Sequence, residues 1–185
     1  MPVSTLDPRT ALIVIDLQKG IVRMAGADAL EPPIRNSRLL ADAFRERSLP
    51  VVLVNVAGGA PGRTEQPRPN QPFPADWTEL VPELDRQPGD ICLTKKTWGA
   101  FASTDLEKQL KDRGVTQVVV TGVATSIGVE STARQAYEAG FNVTLAIDAM
   151  ADLRSQAHEC SIANIFPRLG ETGTTQDILA LLERR

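Results

Sequence analysis

Five short runs of apolar, mostly β-branched residues recur along the chain, and segments with helical periodicity separate them. The runs are TALIVIDL, PVVLVNV, DICLT, QVVVT and NVTLAID, at residues 10–17, 50–56, 90–94, 117–121 and 142–148. Near-continuous apolar runs of this length are typical of strands that are buried on both faces of a parallel sheet. The pattern therefore predicts five parallel strands.

The intervening segments carry the signals of amphipathic helices. Thr104 and Glu107 have capping-box spacing, and Gly114 is a helix stop signal. The predicted helices cover residues 34–48, 104–113, 125–139, 156–165 and 176–183. Alternating strands and helices predict an α/β fold: a three-layer, doubly wound sandwich whose central, mostly parallel sheet of five or six strands is flanked by helices. A ligand site is expected at the carboxyl ends of the strands, beside the switch point of the strand order.

Residues 57–90 interrupt this alternation. They hold seven of the 13 prolines and a short helical turn at WTELVPEL; the prolines are Pro61, Pro67, Pro69, Pro72, Pro74, Pro82 and Pro88. A segment this long between two core strands is usually a lid, an Ω-type loop or a subunit contact. We expect residues 1–185 to form one domain, with 57–90 as a proline-rich loop excursion within it.

Composition restricts the partners. With 20 Lys plus Arg against 23 Asp plus Glu and a net charge of −3, the chain lacks the basic surface that nucleic acid or an anionic membrane requires. A small-molecule substrate is the expected partner, and without a signal segment a cytoplasmic location is expected. Cys92, Cys160 and the single His158 do not have metal-ligand spacing, so no metal or cofactor is predicted. Both cysteines are interpreted as small core residues.

Polar residues at the predicted strand ends are the candidates for chemistry. Asp16 closes the first run; a buried carboxylate there is either catalytic or a cap for the next turn. Lys95 follows the third run and can pair with such an Asp or with an anionic substrate. Gln18 and Asn55 either bind substrate or satisfy loop backbone. Asp148 is expected to cap the turn at Ala149 rather than to act in catalysis.

Three motifs, IVIDLQ, LTKKTWGAF and TGVATSIGVESTARQA, together resemble the isochorismatase-like hydrolase superfamily, which also contains nicotinamidases and other cysteine amidohydrolases. The motifs occur in the family's order and spacing, and the resemblance runs from Ala11 to the last helix. It implies a Rossmann-like fold, a homo-oligomer (dimer or higher), and Asp16 and Lys95 as two members of an Asp-Lys-Cys triad. In the amidase branches the third member is a Cys in a pattern like GVATSICVE, and the matching residue here is Gly128.

The resemblance assigns different chemistry to the two branches. In amidases a thiolate attacks an amide carbonyl, which Gly128 cannot do. True isochorismatases likewise carry Gly there; their Asp protonates the methylene carbon of a vinyl ether, water adds, and the hemiketal collapses to pyruvate and an alcohol. The resemblance also implies a cis peptide between Val123 and Ala124, which with Thr125 would form an oxyanion or substrate-orienting turn. Expected pocket-lining positions are Ile21, Val56, Trp98 and Phe101.

The nicotinamidase branch has an Asp/His metal cluster after the second strand. The corresponding GGAPGRTEQPRPNQ contains no His, so no metal is carried over. Three hypotheses remain: a vinyl ether hydrolase that uses Asp16 and Lys95 on a small anionic molecule; an amide, ester or imide hydrolase in which Asp16 activates water; and a small-molecule-binding protein that has lost catalysis. The net shift in the pKa of Asp16 stays open, because burial raises it and Lys95 lowers it.

Overall fold

The computed structural model describes residues 2–66 and 72–184, and its centre is a six-stranded parallel sheet. The strands are β1 (Thr10–Ile15), β2 (Val51–Val56), β3 (Ile91–Lys95), β4 (Gln117–Val123), β5 (Asn142–Ala151) and β6 (Glu171–Gly173). Their order across the sheet is β3-β2-β1-β4-β5-β6. The predicted α/β fold with a parallel sheet is confirmed, and the short β6 is added at one edge.

Helices cover both faces of the sheet. They are α1 (Lys19–Ala25), α2 (Ala27–Glu46), α3 (Leu106–Asp112), α4 (Glu130–Glu138), α5 (Ser155–Cys160), α6 (Phe166–Leu169) and α7 (Thr175–Glu183). A 3₁₀ turn spans Pro82–Leu84, and π-helical turns span Thr125–Val129 and Ser161–Ile165. The sequence pattern predicted a helix only from residue 34, which follows two prolines. The structure continues α2 through Pro32 and Pro33.

Two apolar clusters lie on opposite faces of the sheet. Leu12 and Val14 of β1 pack in the cluster that contains the buried residues of α2 and α7. Ile13 and Ile15 pack in the other cluster, with residues of α3, α4 and α6. Successive side chains of a strand point to opposite faces, so β1 contributes to both layers. This alternation fixes the three-layer arrangement.

The cysteine prediction is wrong. Cys92 and Cys160 are both exposed and carry free thiols. Cys92 belongs to β3, which lies at the edge of the sheet and alternates between partly buried and exposed residues. The apolar run at residues 90–94 therefore forms an edge strand with one open face, and it is not buried on both faces.

Asp148 has a different capping role from the one expected. The strand β5 continues to Ala151, and its register against β4 shifts between Val120 and Gly122. Within this longer strand, Asp148 Oδ1 accepts hydrogen bonds from the backbone N–H and the hydroxyl of Thr175, at 2.7 and 2.9 Å. Asp148 thus fixes the start of α7 instead of the turn at Ala149.

The described part of the proline-rich excursion is tied to the first two strands. The Trp77 indole donates to the Val56 carbonyl at 3.0 Å, and its ring lies against Gly20. The Val81 N–H donates to the Leu17 carbonyl at 3.1 Å. Residues 67–71, with Pro67 and Pro69, lie outside the described residues. In the described ranges, none of the helices combines the length and the apolar character needed to cross a membrane.

Candidate active site

The strand order reverses beside β1. The chain passes from β1 through β2 to β3 on one side, and then returns to place β4 on the other side of β1. Ligands of open α/β sheets bind outside the carboxyl ends of the strands at such a switch point. Asp16 directly follows β1, Lys95 ends β3, and Gly122 and Val123 end β4. The fold therefore gathers these positions at one edge of the sheet.

Asp16 and Lys95 form a buried ion pair. Lys95 Nζ lies 2.8 Å from Asp16 Oδ2, and the two residues are only 1% and 6% exposed. Lys95 Nζ also donates to the Thr97 carbonyl at 3.1 Å. The other carboxylate oxygen, Asp16 Oδ1, is buried and has no hydrogen-bond partner among the described residues. The backbone of Asp16 has φ 53°, in the left-handed region, at the point where the chain leaves β1.

Two influences act on the Asp16 proton in opposite directions. Burial raises the pKa of Asp16 from 3.8 to about 6, although the charge and the hydrogen bond of Lys95 lower it. Burial is the larger influence because removing a carboxylate from water destabilises its charged form. With a pKa near 6, about a tenth of the Asp16 carboxyls are protonated at pH 7. The net shift in the pKa of Asp16, which the sequence left open, is therefore upward.

A tightly packed turn joins β4 to α4. Gly122 has φ 113°, and a Cβ there would overlap the backbone carbonyl of Ile15 in the neighbouring strand. Only glycine fits both the dihedral angle and the close approach. The peptide bond between Val123 and Ala124 is cis, as the sequence resemblance implied. The π-helical turn Thr125–Val129 follows and leads directly into α4.

Gly128 faces the Asp16 carboxylate. A Cβ built at this position would lie 3.1 Å from Asp16 Oδ2 and 2.9 Å from the Ile15 Cγ2 methyl. A side chain at position 128 would therefore begin beside the carboxylate and require a small shift of Ile15. With glycine, the turn packs against Asp16 and Ile15 without a clash.

Two residues that the sequence did not assign to the site hold the turn. Asp152 Oδ2 accepts from the Ser126 N–H at 2.8 Å and from the Ser126 hydroxyl at 2.7 Å. His158 Nδ1 lies 2.8 Å from the hydroxyl of Thr125. A sequence signal for Asp152 is its position directly after an apolar strand. The predicted strand ended at residue 148, whereas β5 continues to Ala151, so the prediction did not place Asp152 at a strand end.

Two expected substrate-binding residues have scaffold contacts. Gln18 Nε2 donates to the carbonyls of Val56 and Trp77 at 3.1 and 2.8 Å, and its Oε1 accepts from the Val56 N–H at 2.7 Å. Asn55 Nδ2 donates to the Thr78 carbonyl at 2.8 Å, while its Oδ1 is buried without a partner among the described residues. Both side chains thus connect the strand ends to the proline-rich excursion.

The expected lining positions do not form one group. Ile21 packs against the cluster on the α2 side, and Val56 is partly buried at the end of β2. Trp98 is 64% exposed. Phe101 packs in the opposite cluster, with its ring centroid 5.9 Å from that of Phe141. The structure therefore unites Asp16, Lys95 and the Gly128 turn, whereas Phe101 has a packing position beside Phe141.

The donor chemistry of the site consists of carboxylate, ammonium and backbone amide groups. In the part of the chain that the structure describes, no three His, Cys, Asp or Glu side chains are grouped so as to hold a metal ion. The arrangement provides a proton donor or acceptor in Asp16 and a fixed cation in Lys95, whereas the amide of Ser126 before α4 is already occupied by the Asp152 carboxylate.

Known proteins are similar to this chain in sequence and in fold. The isochorismatase domain family matches residues 10–177. YwoC, an isochorismatase family protein of Bacillus subtilis, is 42% identical over 178 residues, which cover 92% of this chain and 93% of YwoC. The ureidoacrylate amidohydrolase RutB of Variovorax paradoxus is 31% identical over 201 residues, with coverage of 92% and 80%.

A solved structure of an isochorismatase family protein from Burkholderia thailandensis has the same architecture. It is 39% identical to this chain, superimposes with a TM-score of 0.89, and the alignment covers 97% of this chain and 98% of that one. Sequence match, fold and the position of the site at the switch point agree. The chain therefore belongs to the isochorismatase family of hydrolases.

Proposed function

We propose that the protein hydrolyses a small anionic vinyl ether and that Asp16 is its general acid. The observation that carries this proposal is the state of Asp16: a buried carboxyl whose pKa is raised to about 6 and whose Oδ1 has no partner among the described residues. A general acid works best with a pKa near the working pH, since it must hold a proton and also release it.

The two oxygens of Asp16 have separate roles. Oδ2 accepts a hydrogen bond from Lys95, whose ammonium group is only a donor. The acidic proton is therefore assigned to Oδ1. Oδ1 transfers this proton to the methylene carbon of the enolpyruvyl group, and the ether carbon becomes an oxocarbenium ion. Water adds to that carbon and loses a proton, which restores the carboxyl. The hemiketal then breaks its bond to the leaving oxygen and gives pyruvate and an alcohol.

Gly128 takes the place of the amidase cysteine in this proposal. A Cβ at this position would lie 3.1 Å from Asp16 Oδ2 and 2.9 Å from the Ile15 methyl, so glycine lets the turn pack against the carboxyl without a clash. No nucleophile is needed, because protonation of carbon makes the substrate itself electrophilic. A substrate carboxylate is assigned to the Lys95 ammonium instead of the turn, because the Ser126 N–H already binds Asp152 and the Ile127 and Val129 N–H groups donate to the Ala124 carbonyl.

A second candidate is the hydrolysis of an amide, ester or imide by water that Asp16 activates. The 31% identity to an amidohydrolase favours it. A pKa of about 6 also leaves most Asp16 carboxylates ionised at pH 7, as a general base requires. The two reactions therefore use opposite protonation states of one residue.

The pH dependence of kcat/KM separates these functions. For vinyl ether hydrolysis, we expect pyruvate release from isochorismate or related enolpyruvyl ethers, with kcat/KM falling about tenfold per pH unit above about 6. For water activation, kcat/KM on an amide, ester and imide panel rises with pH and reaches a plateau above about 6. Asp16→Asn lowers either activity by about 10² to 10⁴. Tight binding of small acids without turnover in either panel would instead indicate a lapsed catalyst and would refute both reactions.

The proposed role of position 128 has its own test. Gly128→Cys places a thiol beside Asp16, while Gly128→Ser adds a side chain of nearly the same shape with a much weaker nucleophile. We expect amidase activity to appear in the Cys variant and not in the Ser variant. Two folded variants that are equally inactive toward amides would refute the correspondence between Gly128 and the amidase cysteine.

A further inference from the structure

A cavity lies at the opposite end of the sheet from Asp16. Its volume is about 660 Å³, which is within the range of small-molecule sites. Its lining includes Arg9 just before β1, Val51 at the start of β2 and Ile91 at the start of β3. Since a six-residue strand is roughly 20 Å long, the cavity is separated from the catalytic site by the length of β1.

The floor of this cavity is apolar. Val51 and Val115 are only 2% and 5% exposed, and they belong to the two core clusters. Leu49 and Ile91 are partly buried beside them. A ligand with an apolar body would cover this surface and release the water on it.

One wall of the cavity is fixed by a neutralised pair. Arg45 Nη2 lies 2.7 Å from Asp90 Oδ2, and Arg45 Nε donates to Asp90 Oδ1 at 3.1 Å. The Gln87 N–H also donates to Asp90 at 2.8 Å. Asp90, the acidic residue of the lining, is therefore occupied by Arg45 and is not a counterion for the other arginines.

The remaining wall carries two cations. Arg9 Nη1 donates to the Arg113 carbonyl at 3.3 Å, and Arg113 Nη1 donates to the Gln109 carbonyl at 2.7 Å. Across residues 2–66 and 72–184, neither guanidinium has a carboxylate within ion-pair distance. In a protein with a net charge of −3, this is a local excess of positive charge beside an apolar floor. Guanidinium groups match carboxylate and phosphate oxygens with paired N–H donors.

We propose that this cavity is a second ligand site for a small amphipathic anion, distinct from the catalytic site. The apolar body packs on the partly buried Leu49 and Ile91, and the carboxylate or phosphate group binds Arg9 and Arg113. Recognition depends on both parts, because an isolated charge at an exposed arginine is strongly screened by water and salt.

Calorimetric titration tests the site with benzoate, phenyl phosphate and benzyl alcohol at low ionic strength. We expect at least one of the two anions to bind at least tenfold more tightly than the neutral alcohol. Tighter binding of benzoate identifies a carboxylate ligand, and tighter binding of phenyl phosphate identifies a phosphate ligand. Arg9→Gln and Arg113→Gln each weaken the binding about tenfold or more, as loss of a charge-assisted hydrogen bond does.

The control variants separate this cavity from the catalytic site. Arg168→Gln removes an exposed arginine elsewhere and leaves anion binding unchanged, whereas loss of binding in Arg9→Gln and Arg113→Gln assigns the anion to this cavity and not to the catalytic site. Arg9 and Arg113 are exposed, so their variants are expected to fold, which circular dichroism verifies. Wild-type affinity in both Arg9→Gln and Arg113→Gln, or the absence of binding by both anions, would overturn the proposal.

Discussion

At the residue scale, the ion pair of Asp16 and Lys95 combines the proposed general acid with a group that opposes its protonation. Burial raises the pKa of Asp16 to about 6, and Lys95 keeps it from rising further. A buried carboxyl without Lys95 would hold its proton more firmly. Lys95 therefore sets the pH range in which Asp16 exchanges a proton, in addition to fixing the orientation of Oδ2.

Replacing the lysine should move the pH profile. In Lys95→Met the lowering influence on the pKa of Asp16 is lost, so the pKa rises above 6 and the fall in vinyl ether kcat/KM begins at higher pH. The pH dependence of kcat/KM measures the shift. Lys96→Met is the matched control, because the exposed Lys96 is the next residue and its removal should leave the profile in place. An unchanged profile in Lys95→Met would contradict the coupling.

Asp16 should also make stability depend on pH. Its pKa is about 6 in the folded protein against an ordinary 3.8, so the folded state binds more protons between these values. The contribution is complete below about pH 4 and is lost as pH rises through 6, with a total of roughly 3 kcal/mol. Urea unfolding from pH 4 to 7 measures it. Asp16→Asn lacks this contribution, and parallel curves for the two proteins would show that Asp16 does not titrate near 6.

The sequence identified residues that the structure brings together, but it did not reveal their environment. Asp16, Lys95 and Gly128 stood out because they end strands or fall at the motif position of a nucleophile. Which influence dominates the pKa of Asp16 depends on the depth of burial, which no local pattern records. The position of Phe101, six residues after Lys95, did not distinguish a pocket wall from a core position. In the structure its ring packs beside Phe141.

At the element scale, the junction of β4 and α4 is the most constrained part of the site. Gly122 lies against the backbone of β1, and the following turn is held by Asp152 through Ser126. Because β1 carries Asp16 at its end, the spacing between these two strands also sets the distance from the turn to the carboxyl. Packing at Gly122 therefore helps to position the Asp16 carboxyl without touching it.

Gly122→Ala tests this constraint. The added Cβ overlaps the Ile15 carbonyl at a backbone φ of 113°, so we expect a loss of about 3 kcal/mol or more in the free energy of unfolding. Gly114→Ala is the matched control, since Gly114 also has positive φ, at 67°, but its Cβ would meet nothing within 4 Å. That variant should lose about 1 kcal/mol. Equal losses in urea unfolding would show that the contact with β1 is unimportant.

Strongly apolar elements were predictable and weakly patterned ones were not. The apolar runs at β1, β2 and β4 predicted buried strands, and nearly every residue of these strands is buried in the structure. The strand β6 has three residues, too few for a periodic signal. The exposed face of β3 follows from its position at the sheet edge, which depends on strand order and not on its own composition.

At the scale of the whole molecule, the sheet separates two kinds of surface. Its carboxyl edge carries the buried Asp16 and Lys95, and its amino edge carries the arginine-lined cavity. The proline-rich excursion is joined to the carboxyl edge through Trp77, Gln18 and Asn55. These contacts make the described part of the excursion a wall along the ends of β1 and β2.

Trp77→Ala should loosen this wall. The Lys19 N–H donates to the Glu79 carbonyl and the Gly20 N–H to the Trp77 carbonyl, so both amides are protected by the excursion. We expect their hydrogen exchange to accelerate about tenfold or more when the indole is removed, while amides of β4 exchange as in the wild type. Unchanged exchange at Lys19 and Gly20 would show that the excursion is held without the indole.

The ion pair at the site also bears on how the protein becomes active during folding. Asp16 and Lys95 are 79 positions apart in sequence, and β2 lies between their strands in the sheet. The contact can form only after a long loop has closed and three strands have aligned, steps that are slow in parallel topologies. Helices can form before that point without any catalytic pair. Recovery of turnover after dilution from urea therefore reports when the parallel strands have aligned. It should lag behind the return of the helical circular dichroism signal.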